Sequence, residues 1–190
     1  MHVVPLASAD TAFRGRFGHP YLWVERTAST QQLLGGAPEG AVAATDEQTA
    51  GRGRLGRSWE APAGKALLFS IVLEPHVPAE RLPELSLVAA RALAHAVAAE
   101  TGLRADVKSP NDILIGGKKV AGVLGEASGG RVVLGIGVNV AQRADELPVR
   151  PRLPATSLAL EGAEVDRTQL LATILETLEG RYDEWVSAAR

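Results

Sequence analysis

Residues 105–140 hold the feature that most restricts the fold: four short strand-like runs, at 105–108, 113–115, 119–127 and 131–140, with Gly116-Gly117 and Gly129-Gly130 between the last three. Paired glycines supply the positive φ that tight hairpin turns demand, so this stretch predicts successive antiparallel strands. Residues 66–73 (ALLFSIVL) form an unbroken apolar run of strand length, predicted to be buried on both faces. Two further strands are read at 21–25 and 40–46. Between them, Ser29 or Thr30 caps a short helix that ends at Gly35-Gly36.

Two helical stripes stand apart from the strands. Leu85, Val88, Ala89, Ala92, Leu93, Ala96 and Val97 share one face of a helix over 84–101, which Gly102 stops. Leu171, Leu175, Leu178, Tyr182 and Trp185 line another over 168–186, opened by Asp166 with Gln169 three residues on. Strands in runs and helices set apart predict an α+β fold with a central, mainly antiparallel sheet flanked by helices, not a doubly wound nucleotide fold. Residues 1–20 carry no sustained period and read as a lead-in. No repeat or composition break divides the chain, so residues 1–190 are expected to form a single domain.

Composition narrows the chemistry. With no cysteine there is no disulfide framework, thiolate metal site or cysteine nucleophile. Twenty Lys and Arg against 22 Asp and Glu give a net charge of −2, so any basic patch is local and a dedicated DNA binder is not expected. No run reaches the ~18 apolar residues of a membrane span, and the N-terminus lacks a secretory pattern. A cytoplasmic protein is the expectation.

Three segments carry candidate chemistry. In the first, running from Gln48 to Trp59, Gly51 and Gly53 alternate with Arg52 and Arg54, and Arg57 follows. Glycines permit close backbone approach, guanidiniums give bidentate donors to phosphate or carboxylate, and a tryptophan ends the run. An exposed basic loop or an RNA-contacting arm would share the Arg and Gly. The terminal Trp and the single copy favour a small anionic, aromatic ligand. The second segment, Lys108-Ser-Pro-Asn-Asp112 through Lys118-Lys119 to Gly122, Gly125 and Glu126, puts a lysine two residues past a glycine turn, where it can point inward. The third, Gly135-Ile-Gly-Val-Asn139, is a strand with glycines where packing would prefer bulk.

Together these segments resemble the biotin protein ligases, the biotin–[acetyl-CoA-carboxylase] ligase family, from about Trp23 to Trp185. GRGRLGRSW is the most specific piece, with KSPNDILIGGKKVAGVLGE, GIGVN and Ser29-Thr30 in the right order. The resemblance implies the biotin/lipoate ligase catalytic fold, related to class II aminoacyl-tRNA synthetases. It implies two steps: biotin and MgATP give biotinyl-5′-AMP, and the biotinyl group then passes to one lysine of a biotin carboxyl carrier domain.

By the same resemblance Ser29, Thr30, Gln31 and Gln48 would meet biotin, while Gly51, Arg52, Gly53 and Arg54 would fold over it. Gly122 and Gly135 would floor the slot. Arg54, Arg57, Trp59 and Asn139 would hold ATP and the adenylate, with Trp59 stacked on adenine. Lys119 would be the key catalytic cation, Arg54 a second, and Asp112 would receive the acceptor lysine. No metal would be fixed by protein side chains, Mg2+ arriving with ATP.

Three departures from the family stand out. Ser109 replaces the usual Trp before Pro-Asn-Asp, which would remove biotin-pocket area worth ~1–3 kcal/mol if that ring were buried. No helix-turn-helix module is expected before the catalytic region, and the family's small C-terminal β-barrel-like domain is expected to be absent or truncated. A homodimer is left open. Two other readings compete: a lipoate or octanoate transferase of similar fold, against which the Arg/Gly loop ending in Trp59 speaks, and a non-catalytic biotin- or adenylate-binding protein.

Overall fold

The computed structural model describes residues 5–148 and 153–189. Seven strands form one sheet: β1 (Tyr21–Thr27), β2 (Val42–Gln48), β3 (Ala66–Leu73), β4 (Asp106–Lys108), β5 (Asp112–Ile115), β6 (Lys118–Ser128) and β7 (Arg131–Asn139). Their order across the sheet is β1-β2-β3-β7-β6-β5-β4. Only β1 and β2 run parallel, and the other five pairings are antiparallel, as the hairpin pattern predicts. All four turn glycines, 116, 117, 129 and 130, take positive φ.

Two helices, α1 (Leu85–Thr101) and α2 (Arg167–Ala189), pack against each other, α1 on β4, β5 and β6 and α2 on β3. Alternation along the strands sends Leu67, Phe69 and Ile71 of β3 and Leu134, Ile136 and Val138 of β7 into the core beneath them. On the opposite face, Leu34, Ala41, Ala43 and Val72 form a small second cluster under a 3-10 turn, Thr30–Leu34. Every residue of β3 is therefore buried. Asp166 starts α2 by accepting hydrogen bonds from the amides of Thr168 and Gln169 at 2.7 and 3.3 Å. Gly102, at φ 70°, ends α1.

Two expectations are corrected. The helical stretch Ala79–Thr101, 23 residues including the 3-10 turn before α1, is long and apolar enough by composition to cross a membrane, whereas the sequence reading found none; here α1 covers the sheet. Residues 5–20 are also more structured than a lead-in, residues 1–4 lying outside the described residues. A 3-10 helix, Leu6–Ala12, buries Leu6 and Ala9, and Phe17 is fully enclosed beside Tyr182 of α2.

Candidate active site

The face of the sheet opposite the helices carries a narrow slot. Because β strands alternate, Gly122 and Leu124 of β6 and Gly135 and Gly137 of β7 all look toward it, with Gly122 directly opposite Gly137 in the ladder. A methyl group at Gly137 would fall 2.5 Å from Cε2 of Trp59, and one at Gly122 would fall 3.2 Å from both Cζ3 of Trp59 and Nζ of Lys119. Only residues lacking a side chain let the indole lie flat here. At Gly135 the nearest neighbour is instead Gln31, whose Nε2 donates to the carbonyls of Leu124 and Val133 at 3.3 and 3.2 Å.

The connection from β1 to β2 supplies the slot's polar end. Ser29 and Thr30 are each 2% exposed. The Thr30 amide and hydroxyl both donate to Oε1 of Gln48, at 2.8 and 3.2 Å, and the hydroxyl also shares a 2.7 Å hydrogen bond with Ser70 of β3. Thr30, Gln48 and Ser70 thus satisfy one another, which lets these polar groups be buried in an apolar fold.

The Gly/Arg loop folds over the slot as a small hairpin. Trp59 N–H donates to Gly51 O at 2.9 Å, Gly53 N–H to Arg57 O at 2.7 Å, and Arg52 bridges Ser58. Arg52 pairs with Glu126 and Arg54 donates to Asn111 Oδ1 at 3.3 Å, so the loop is fastened on both sides. Gly51 lines neither cavity described here; it lets the loop backbone pass close to the carbonyl of Trp59. The indole N–H of Trp59 is buried without a hydrogen-bond partner among the described residues.

Slot and basin meet at Lys119. The slot, about 50 Å³, opens into a basin of about 580 Å³, and Gly53, Arg54, Trp59, Asn111 and Lys119 line both. Arg57, Asp112 and Asn139 border the basin alone. Nζ of Lys119 lies 2.6 Å from Oδ1 of Asp112 and 5.5 Å from the centre of the Trp59 ring, a cation–π distance. Segment 154–156 fixes this lysine: its amide donates to Pro154 O and its carbonyl accepts from the Thr156 amide. Neighbouring Lys118 faces the other way, to Glu161, whose carboxyl the ammonium holds below the usual carboxylate range, with help from Thr156.

Of the sequence-derived site residues all but Gly51 line the slot or the basin, and two further points differ from expectation. Both polar ends of the Asn139 amide are used inside the protein, Nδ2 on Thr156 O at 2.9 Å and Oδ1 on Gln142 Nε2 at 2.9 Å. Ser109 is exposed in the β4–β5 turn and lines neither cavity, so it removes no area from this slot. Gly137, Asn111 and Ser70 are site residues that the sequence reading did not single out. Among the described residues, no group of three or more His, Asp or Glu could hold a metal ion.

A glycine-floored slot, a guanidinium loop above it and a lysine shared with the adjoining basin come together on this face of the sheet. A model of the Biotin/lipoate A/B protein ligase family matches residues 23–142, and the chain belongs to that family. It is 36% identical over 181 residues to the bifunctional ligase/repressor BirA of Bacillus spizizenii, covering 90% of this chain and 56% of the relative. It is 41% identical over 180 residues to a biotin–[acetyl-CoA-carboxylase] ligase of Mycobacterium tuberculosis, covering 87% and 65%. The biotin protein ligase of Aquifex aeolicus in complex with biotin and ATP superposes with a TM-score of 0.79 at 34% identity, covering 88% of this chain and 72% of that one. The chain spans about half the length of the BirA relatives it matches.

Proposed function

We propose that this chain is the catalytic domain of a biotin protein ligase. It would convert biotin and ATP to biotinyl-5′-AMP and pyrophosphate, and then pass the biotinyl group to a lysine of a biotin carboxyl carrier domain. The observation that carries the reading is the position of Lys119, an ammonium among the residues shared by a narrow slot and a nucleotide-sized basin. The complex of the Aquifex aeolicus relative with biotin and ATP supports this pairing of substrates.

Both reactants are anions, and the site's chemistry is to make them tolerate one another. Biotin would enter the slot with its ureido ring against Ser29, Thr30 and Gln48. Gln48 spends its acceptor on Thr30, which leaves its amide donors for the ring carbonyl. The carboxylate then reaches Lys119, and the nucleotide fills the basin beside Arg54, Arg57 and Trp59, with its Mg2+ carried in as part of the substrate. A carboxylate oxygen attacks the α-phosphorus, the bond to the β-phosphate oxygen breaks, and pyrophosphate leaves. Lys119 and Arg54 lower the repulsion and stabilise charge growing in the transition state.

In the second step the acceptor amine attacks the acyl carbon and AMP leaves. Asp112 is tied to Lys119 before substrates bind. Once biotin carboxylate and phosphate draw the ammonium, Asp112 is released to take a proton from the incoming lysine ammonium.

Incubation with biotin and MgATP should yield biotinyl-5′-AMP, detected by mass spectrometry. Lys119→Ala should lower its rate by about 10²–10³-fold, the range seen when a preorganised charge-stabilising donor is removed. Absence of adenylate, with biotin still bound, would favour the non-catalytic binding protein.

A further inference from the structure

Glu126 forms an ion pair with the Gly/Arg loop and is not among the residues lining the slot. Along β6 the residues facing the slot are Gly122, Leu124 and, at the rim, Glu126, which stands opposite Val133 of β7. Its carboxylate receives both prongs of Arg52, Nη1 to Oε1 at 2.9 Å and Nη2 to Oε2 at 3.0 Å. Parallel two-point pairing fixes the plane of the guanidinium as well as its position. On the opposite wall the Arg54 contact to Asn111 is a single, longer hydrogen bond. Just past these fastenings the loop holds Leu55, 88% exposed at φ 60°, and no buried side chain from Arg52 to Ser58 anchors it by packing.

We propose that Glu126 is a positioning residue: paired with Arg52, it latches the loop closed over the slot and so retains the ligand, and any adenylate, between the two half-reactions. The first part is a property of the protein without ligand. The second rests on the ligase reading. Arg52 and Glu126 side chains are 46% and 42% exposed, so the latch is electrostatic and open to screening by salt.

Trypsin tests the first part on ligand-free protein, through the rate of cleavage after Arg54 and Arg57. In low salt, Glu126→Gln should raise that rate about fivefold, the population shift expected from losing an exposed bidentate pair. Half-molar sodium chloride should bring wild type up to the variant and leave the variant unchanged. Arg52→Glu with Glu126→Arg should restore slow cleavage at the same two bonds. Equal rates for wild type and Glu126→Gln in low salt, or no recovery in the charge swap, overturns the latch. The salt series on wild type gives a reading that does not depend on any variant folding. With biotin present, Glu126→Gln should release it about fivefold faster; unchanged release from a variant whose loop is cut faster overturns the retention role alone. Failure of wild type to form adenylate would count against the ligase reading and leave the trypsin result standing.

Discussion

A methyl group at Gly137 would meet the Trp59 ring at 2.5 Å, closer than any real contact of its kind. Gly137→Ala should therefore push the indole off the sheet. Overpacking of ~1–3 kcal/mol would show as a shift in tryptophan emission and about a tenfold loss in adenylate formation. Gly180→Ala is the control: it sits exposed on α2 with open space around it, and should raise the melting temperature while leaving activity alone. Gly137 also shows where residue-level reading stops. Lys119 was legible because a glycine turn two residues earlier fixes which way a strand residue can point. The role of Gly137 depends on a ring 78 positions away in sequence, and Ser70 and Asn111 acquire theirs from Thr30 and Arg54. Such partners exist only once the register is set, and no local pattern announces them.

Elements outside the sheet tell a similar story. The strands from 66 to 139 were legible because apolar runs and glycine pairs are local signals. The helix at Leu6–Ala12 was not, since one 3-10 turn has neither amphipathic period nor cap. It is held from a distance. Arg16 reaches Glu179 and Asp183 on α2, and the Phe17 amide donates to Glu179 at 3.0 Å. The Arg16 guanidinium depresses the Asp183 carboxyl below the ordinary 3.8. A carboxylate whose native pKa is lowered adds stability above its unfolded pKa and gives it up as pH falls through the native value. Thermal melting should thus decline below about pH 4, and Asp183→Asn should melt lower at neutral pH with a shallower acid decline. A parallel decline in both proteins would remove this pair from the acid response.

At the scale of the molecule, helices on one face leave the other free for chemistry, and two cavities of unequal width meet there. Ligand that binds only the folded form raises stability by about 2.7 kcal/mol at a hundred times its dissociation constant. For a domain of this size, that corresponds to a melting shift of about 5–10 °C. Biotin should produce such a shift at saturating concentration and lipoate should not. The reverse order would move the assignment to the lipoate branch of the family. The unbroken apolar run at 66–73 predicts a strand buried on both faces, as β3 is; the widths of slot and basin are beyond such a pattern, because they depend on how far one loop folds across the sheet.

The seam between β3 and β7 joins residues that lie more than fifty positions apart. The chain before β3 brings Ser29, Thr30, Gln48 and the Gly/Arg loop, and the chain beyond β3 brings Asp112, Lys119 and the glycine floor. A backbone severed within the largely exposed residues 76–80 would leave each fragment with half a pocket and neither with a working one. Vitamin capture would then act as a reporter of reassembly, appearing only when the two pieces zip back together along that single ladder.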